Sequence, residues 1–406
     1  MSVKNENIAR VTIMDALEDT FGTLSIAKRL QPSEATYILD LSLPYCASSE
    51  SDLLAVCCSN YSVHLHSRET LRQVGEFQGH TAPLCGVQFS HLSPHLLFTG
   101  SADGTLRSWD VRQPGSNATQ VFRSDSTHLY CSFDVSCNDR VLCAGTEQVE
   151  EEESFLVFWD ARMVQDGGES GSKMGGLLGV FSESHSDDIT AVKFHPQQAD
   201  RLASGATDGL VNVFDLSQGG EDDALVTTCN CESTTSSLCW TGKYLDQLLC
   251  LTHDEGLHLW DVARPDSDDT LTLLSSADAR TLVQLPNQAS LEYFVGGSWM
   301  SDEERILLVG GSNNGKLHLL DCSGSGLKFI KSLNGGHSAT VRCFQWDAVA
   351  HCLLTGGEDG HLLQWKAGAE EISVGKKDSL KSISSMQLKT KAHRKQATKK
   401  DRSKLA

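Results

Sequence analysis

A motif that recurs along the chain constrains its fold more than any other feature of the sequence. The clearest copy spans Gly79–Arg112 and reads GHTAPLCGVQFSHLSPHLLFTGSADGTLRSWDVR. It opens on Gly-His, contains strand-like apolar segments, turns at Asp103-Gly104 and closes on Trp109-Asp110. Related segments end at positions 66, 109, 159, 214, 260, 320 and 365, at intervals of 43 to 60 residues. The chain is therefore organised as seven copies of one structural unit.

This unit resembles one repeat of the WD-repeat family, in which each repeat supplies the four strands of a propeller blade. The resemblance implies an all-β fold, namely a single seven-bladed β-propeller with a flexible N-terminal arm and a disordered basic C-terminal tail. It also implies a relay of hydrogen bonds, from Trp109 through the Thr99 hydroxyl to His80, and from His80 to Asp103. Buried polar groups are costly unless each finds a partner. The satisfied relay is expected to hold three strands of a blade together.

The other copies keep this tetrad to different degrees. The seventh copy has the full set, whereas the fourth has Phe214 where the tryptophan should stand. Because phenylalanine has no N–H group, the relay of the fourth copy is expected to lose its first link. The remaining tetrad positions are His337, Thr355, Asp359 and Trp365 in the seventh copy, and His185, Ser204 and Asp208 in the fourth. The first, third, fifth and sixth copies are degenerate.

Three regions follow from the repeats: an N-terminal arm over residues 1–20, the propeller over 21–367 and a basic tail over 368–406. A strand-like stretch at residues 21–30 precedes the first repeat. In the family such a strand completes the blade formed by the C-terminal repeat, so that the ring has no free edge. The long intervals indicate loop insertions near residues 166–176, 219–223 and 265–301.

The charge of the chain is unevenly distributed. The net charge is −19, but residues 376–404 alone carry +9, which leaves −28 on the rest. Low hydrophobicity and high charge predict a disordered tail. The tail has three interpretations: a nuclear-localisation signal, a nucleic-acid contact or a solubilising end. The first is favoured because aromatic residues for base stacking are missing from it. The candidate localisation residues are Arg394, Lys395, Lys399, Lys400, Arg402 and Lys404.

The acidic segment at residues 147–153 is expected to be a solvated loop, with docking of a basic partner as the alternative.

Several functional classes are not supported by the sequence. The N-terminus lacks the apolar region of a secretory signal, and no run of 18 apolar residues indicates a membrane-spanning helix. The fourteen cysteines include no C-x-x-C pair, so we expect neither a metal site nor disulfides in a reducing compartment. Residues 310–316 spell G-x-x-x-x-G-K, but Leu317 follows where a phosphate-binding loop needs Ser or Thr. We expect no catalytic residues, no cofactor and no enzymatic activity.

The sequence favours a non-catalytic scaffold for protein–protein interactions in the nucleus, the cytoplasm or both. The partners are expected to be other proteins bound by a monomeric propeller, with no membrane contact and with nucleic acid contacted at most through the tail. One alternative is a substrate receptor of a cullin-RING ubiquitin ligase. Arg112 and Arg162 close W-D-x-R segments in consecutive repeats, which resemble the paired boxes that contact the ligase adaptor. Arginine after Trp-Asp also often pairs within its own blade. A further alternative is a nuclear factor that handles basic proteins or RNA.

Overall fold

The computed structural model describes residues 17–31, 36–45, 52–124, 128–149, 153–166, 173–263, 271–370 and 372–373. Their strands form seven antiparallel blades. Each blade contains four strands, which we letter a to d from the centre of the ring outward. The a strands of neighbouring blades contact one another all the way round, so the ring is closed. The predicted all-β, seven-bladed propeller is confirmed.

The first three blades contain the degenerate first copy, the clearest copy and the acidic copy. Blade 1 consists of Ile38–Ser42, Leu53–Cys58, Val63–Ser67 and Gln73–Phe77. Blade 2 consists of Leu84–Phe89, Leu96–Ser101, Thr105–Asp110 and Gln120–Phe122. Blade 3 consists of Tyr130–Val135, Val141–Thr146, Leu156–Asp166 and Lys173–Phe181. Each predicted repeat end therefore falls within a c strand.

The same arrangement continues through the second half of the ring. Blade 4 consists of Ala191–Phe194, Arg201–Gly205, Leu210–Asp215 and Leu225–Asn230, and blade 5 of Thr235–Thr241, Gln247–Thr252, Leu257–Asp261 and Leu271–Ser276. Blade 6 consists of Tyr293–Met300, Arg305–Gly311, Leu317–Ser323 and Gly326–Leu333. Blade 7 has Val341–Asp347, Cys352–Gly357 and Leu362–Ala367 as its first three strands. Short helical turns lie at residues 17–21, Leu216–Gln218, Glu221–Ala224, Ala279–Leu282 and Pro286–Gln288.

The b strands are mostly apolar because neighbouring blades cover both of their faces. Leu53–Cys58 reads LLAVCC and Cys352–Gly357 reads CLLTGG, and nearly every residue in these two strands is buried. A strand that is buried on both faces loses the alternation of apolar and polar residues that a half-exposed strand shows. The core of the molecule therefore lies between blades.

The N-terminal strand Leu24–Leu30 completes blade 7 as its d strand. It pairs antiparallel with Leu362–Ala367, and Ile372–Ser373 adds a short parallel strand on its outer side. Leu17, Phe21 and Leu24 are buried in the core between blades 6 and 7. The predicted closure of the ring by this segment is confirmed. The blade-7 sheet also continues to Ser373, beyond residue 367.

Side-chain to backbone hydrogen bonds join the a strands of neighbouring blades. The Asp40 carboxylate accepts from the Val87 amide at 3.0 Å, and the Asp134 carboxylate accepts from the Phe194 amide at 2.7 Å. The Tyr293 hydroxyl likewise accepts from the Val341 amide at 2.8 Å. These bonds satisfy backbone donors that face the next blade, where no strand pairs with them.

The predicted insertions contain more regular structure than expected. At residues 166–176 the c and d strands of blade 3 are prolonged into a hairpin, whose described ends are Asp166 and Lys173. This hairpin reaches blade 2, where Val121 pairs in parallel with Met174. The expectation of a loop over residues 265–301 was wrong, because this range includes strand d of blade 5 and strand a of blade 6. The connection between those two strands covers residues 277–292.

Alternation of strand direction gives the ring two faces. The a–b and c–d connections lie at one end of every blade, which we call the a–b face. Among the described residues, its a–b connections include 43–45, 90–95, 136–140, 195–200, 242–246, 301–304 and 348–351. The b–c turns and d–a connections lie at the other end, which we call the d–a face.

Candidate interaction surfaces and the relays behind them

The tetrads of blades 2 and 7 are complete and have the same geometry. In blade 2 the Trp109 indole N–H donates to Thr99 Oγ1 at 2.9 Å, and Thr99 Oγ1 lies 2.7 Å from His80 Nε2. His80 Nδ1 lies 2.9 Å from the Asp103 carboxylate. In blade 7 the same three distances are 3.0, 2.8 and 3.0 Å, and they join Trp365, Thr355, His337 and Asp359 in that order.

Blade 4 retains the last two links of the relay. His185 Nε2 lies 2.7 Å from the Ser204 hydroxyl, and His185 Nδ1 lies 3.0 Å from Asp208. Phe214 is buried at the tryptophan position and contributes packing only. The Asn212 side-chain amide donates to the Ser184 carbonyl at 2.6 Å and so attaches strand c to the d–a connection.

The pKa values of Asp103 and His80 in blade 2 show how these two residues are protonated. Burial acts to raise the pKa of Asp103, but the His80 hydrogen bond and the Thr105 and Thr81 donors outweigh it, so the pKa lies below its ordinary value. Burial also lowers the pKa of His80, against the attraction of Asp103. His80 is therefore a neutral imidazole at pH 7, with Nδ1–H donating to the carboxylate and Nε2 accepting from Thr99.

Four of the five blades with incomplete tetrads, namely blades 1, 4, 5 and 6, contain a polar pair that the sequence did not reveal. The residue two positions before the tryptophan site pairs across strands c and d with a polar residue. Asn212 Oδ1 accepts from Thr228 at 2.7 Å, His258 Nδ1 lies 3.1 Å from the Ser275 hydroxyl, and His318 Nδ1 lies 2.9 Å from the Ser332 hydroxyl. In blade 1 the corresponding pair is His64 and Glu76 at 3.6 Å. The available signal was a polar residue at this site in strand c.

Blade 5 departs furthest in chemistry from the tetrad. Cys250 on strand b lies opposite His258 on strand c, and in blade 2 Thr99 lies opposite Arg107. Since His258 and Arg107 both lie two positions before the tryptophan site, Cys250 occupies the threonine site. Cys231 precedes strand a by four residues, as His80 and His337 do, and thus occupies the histidine site. Asp254 in the turn accepts from the Ser233 hydroxyl at 2.6 Å. Blade 5 therefore has two thiols where the complete blades have an imidazole and a hydroxyl.

Arg112 follows strand c of blade 2 and Arg162 lies within the prolonged strand c of blade 3, and the two side chains have matching conformations. Each guanidinium donates through Nε and Nη2 to the aspartate two residues earlier, Asp110 or Asp160, at 2.6 to 2.9 Å. The arginine side chains remain 64% and 60% exposed. The pairing within each blade agrees with the structural interpretation, and it leaves the outer side of both guanidinium groups open to solvent.

The central channel opens on the a–b face through a cavity of about 370 Å³. Asp40, Tyr45 and Lys193 line it, and Tyr45 stacks on His91 with ring centroids 4.1 Å apart. Lys193 is exposed to the channel, and the neighbouring Asp134 carboxylate raises its pKa. One Asp134 oxygen accepts the blade-4 amide, while the other is buried without a partner. The channel is therefore polar and carries charges of both signs.

Large apolar side chains are exposed on the face at which this channel opens. Among the described residues, four of the five most exposed large hydrophobic side chains lie in a–b connections. They are Tyr244 at 73%, Leu92 at 66%, Val349 at 57% and Tyr45 at 56% exposed. The fifth, Val74, lies on the outer strand of blade 1. Exposed aromatic and aliphatic groups around a polar opening are typical of protein-binding surfaces.

Some predicted features lie outside the described residues or have no structural counterpart. The six candidate localisation residues of the tail fall in the part of the chain that the structure does not describe, as do residues 150–152 of the acidic segment. In the described ranges no three His, Cys, Asp or Glu side chains are grouped to hold a metal ion. The described helices are all too short to cross a membrane.

Three of the repeats match a known family model. The model of the WD domain, G-beta repeat, matches residues 71–110, 175–215 and 327–366, which end in the c strands of blades 2, 4 and 7. These are the three blades in which the structure has an Asp–His contact within a tetrad. The chain carries WD repeats.

Two relatives of these WD repeats cover most of the ring. The WD repeat-containing protein 89 homolog of Dictyostelium discoideum is 25% identical over 82% of this chain and 83% of its own length. The WD repeat-containing protein GTS1 of Arabidopsis thaliana is 29% identical over 80% of each chain.

Proposed function

We propose that this WD-repeat propeller is a non-catalytic scaffold that binds other proteins on its a–b face. The observation that carries the proposal is the set of exposed side chains Tyr45, Leu92, Tyr244 and Val349 on the a–b face, two of which, Tyr45 and Val349, line the channel opening. Aromatic residues contribute a large share of binding energy at protein interfaces, since they bury much area with few rotatable bonds. WD-repeat propellers generally act by presenting such surfaces, and the closed ring holds the connections of seven blades in fixed positions.

The Asp208–His185–Ser204 arrangement in blade 4 supports the non-catalytic assignment. Its connectivity is that of a hydrolase triad, with the imidazole between a carboxylate and a hydroxyl. However, Ser204 is completely buried on strand b, where no substrate carbonyl can approach its hydroxyl. The same arrangement recurs with threonine in blades 2 and 7. Repetition at equivalent sites indicates a structural role.

Affinity purification with mass spectrometry tests the proposed surface. Tagged wild-type protein is compared with a Tyr45→Ser, Tyr244→Ser double variant, since both side chains are more than half exposed and their loss should leave folding intact. The matched control is Tyr37→Ser with Tyr61→Ser on the d–a face, at 50% and 39% exposure. We expect loss of the main partners with the first variant alone. Partners that survive it and are lost with the control would reject the a–b face.

The ligase-receptor alternative rests on the open sides of Arg112 and Arg162. Two guanidinium groups held in the same conformation on consecutive blades could bind carboxylates of one adaptor. An Arg112→Ala, Arg162→Ala double variant should then lose a cullin-ligase adaptor while keeping its melting temperature. If wild-type protein recovers no such adaptor, the alternative is rejected and the scaffold proposal stands.

A further inference from the structure

Two facing thiols in blade 5 have no role in the proposed scaffold function. Cys231 is 2% exposed and Cys250 is fully buried, and both belong to the core between blades 4 and 5. The Thr235 hydroxyl lies beside both, 3.5 Å from Cys231 Sγ and 3.9 Å from Cys250 Sγ. Two thiols held against the same hydroxyl lie close enough together to be candidates for a disulfide bond.

The position of the thiols in the fold explains why they meet. They occupy the sites at which His80 and Thr99 of blade 2 approach to 2.7 Å, so the backbone of a WD repeat brings these two side chains together. Cys231 belongs to the connection 231–234 on the d–a face, whereas Cys250 lies on strand b. A bond between them would covalently attach this connection to the middle of the blade, as the imidazole–hydroxyl contact does noncovalently elsewhere.

We propose that Cys231 and Cys250 form an oxidation site, at which a hydroperoxide converts the two thiols into an intramolecular disulfide. The Cys231 thiolate attacks one oxygen of hydrogen peroxide, the O–O bond breaks, and Cys231 becomes a sulfenic acid as one water leaves. The Cys250 sulfur then attacks the Cys231 sulfur and displaces the hydroxyl group, which leaves as a second water. The two thiols lose two electrons and two protons in total, and the peroxide is reduced to two waters.

The groups around the two cysteines indicate which thiol reacts first with the oxidant. The hydrogen bond from Cys250 and the Thr235 hydroxyl lower the pKa of Cys231 to about 6, against the effect of burial. The neighbouring Cys231 and burial together raise the pKa of Cys250 well above its ordinary value. Since the thiolate is the reactive form, Cys231 is the thiol that meets the oxidant. Its place in a surface connection also puts it nearer to solvent than a residue in the middle of strand b.

Peptide mapping of the folded full-length protein tests the site. The protein is treated with hydrogen peroxide, free thiols are blocked with N-ethylmaleimide, and tryptic peptides are analysed without reduction. Trypsin does not cleave Arg264 because Pro265 follows it, so cleavage at Arg201, Lys243 and Arg280 places Cys231 and Cys250 on separate peptides, 202–243 and 244–280. We expect these peptides to be joined after oxidation, with loss of two alkylatable thiols. Because peptide 202–243 also contains Cys229 and Cys239, the joined product should persist in Cys229→Ser and Cys239→Ser proteins.

Variants separate the site from general effects of losing a buried thiol. Cys231→Ser and Cys250→Ser should each abolish the joined peptides, while Cys143→Ser, on the b strand of blade 3, should leave them unchanged. If the serine variants fold poorly, Cys231→His with Cys250→Thr rebuilds the pair found in blades 2 and 7, and it should fold without forming the product. Recovery of both cysteines as free thiols under conditions that oxidise the partly exposed Cys137 would overturn the proposal. A disulfide of different connectivity would also overturn it.

Discussion

Within the complete tetrads of blades 2 and 7, each buried side chain has a defined hydrogen-bonding partner. His80 joins a threonine and an aspartate from two different parts of blade 2, and His337 does the same in blade 7. Removing one member leaves its neighbours buried with one partner fewer, which costs more than the bond itself contributes. The loss of stability on replacing a tetrad residue therefore depends on how many hydrogen-bonding partners that residue has in the blade.

The first prediction ranks two of these histidines. His80→Ala should destabilise the protein by about 1–3 kcal/mol, because it leaves Asp103 and Thr99 without their buried partner. His185→Ala should cost less, since Phe214 takes no part in the blade-4 relay and Asn212 independently holds the d–a connection. Thermal or chemical denaturation of both variants measures the difference. Equal destabilisation would contradict the ranking.

His66 gives a prediction about pH. It is buried at the tryptophan site of blade 1, and burial lowers its pKa to about 4, from 6.5 in the unfolded chain. Between pH 6.5 and about pH 4, His66 binds a proton in the unfolded chain but stays neutral in the folded chain. The free energy of unfolding therefore decreases as the pH falls through this range. The shift corresponds to about 3 kcal/mol for this site.

Replacement of His66 isolates this contribution. Urea unfolding of wild-type protein and of His66→Phe between pH 7 and 4 should show a smaller pH dependence in the variant, because phenylalanine does not titrate. The variant loses the contact of His66 Nδ1 with the Leu71 carbonyl, so its stability at pH 7 is also lower. Parallel pH profiles for the two proteins would show that His66 is not held neutral.

At the level of whole elements, the N-terminal strand closes the ring. Leu24–Leu30 covers the outer edge of Leu362–Ala367, and the preceding turn buries Leu17 and Phe21 in the core. Deletion of residues 1–30 should lower the melting temperature by roughly 10 °C or more, because three buried apolar side chains at about 1.5–3 kcal/mol each are lost together with the strand.

The matched control for this deletion removes residues 1–16, which precede the buried turn. That shorter deletion should shift the melting temperature little, as measured by differential scanning fluorimetry under the same conditions. Similar melting temperatures for both truncated proteins would mean that the N-terminal strand does not hold the ring closed.

The blades and their closure could be predicted from the sequence, whereas the polar c–d pairs could not. The periodic Gly-His, Asp-Gly and Trp-Asp signals fix where each c strand ends, so seven blades follow by counting. The partner of His258 or His318 depends on the register of strand d, and register irregularities between strands c and d occur in both blades. Interval length indicated extra residues after Asp166, but it could not distinguish a loop from the prolonged hairpin that contacts blade 2.

For the whole molecule, an acidic body with a basic terminal segment predicts a separation of roles between ring and tail. The described blade-7 sheet ends at Ser373, and the positive charges begin at Lys376. Truncation after Gly375 should leave the melting temperature within about 2 °C of wild type. The truncated protein should also lose nuclear enrichment in imaging. An unchanged cellular distribution would reject the localisation role of the tail, and a large loss of stability would show that it contributes to the fold.

Hydrogen–deuterium exchange on the scaffold bound to its purified main partner tests the central proposal most directly. Amides of the a–b connections should become protected on binding, particularly in residues 90–95, 242–246 and 348–351, which carry Leu92, Tyr244 and Val349. The d–a connections 78–83 and 334–340, which contain His80 and His337, should exchange as in the free protein. Protection confined to the d–a face or to the outer strands would contradict the account.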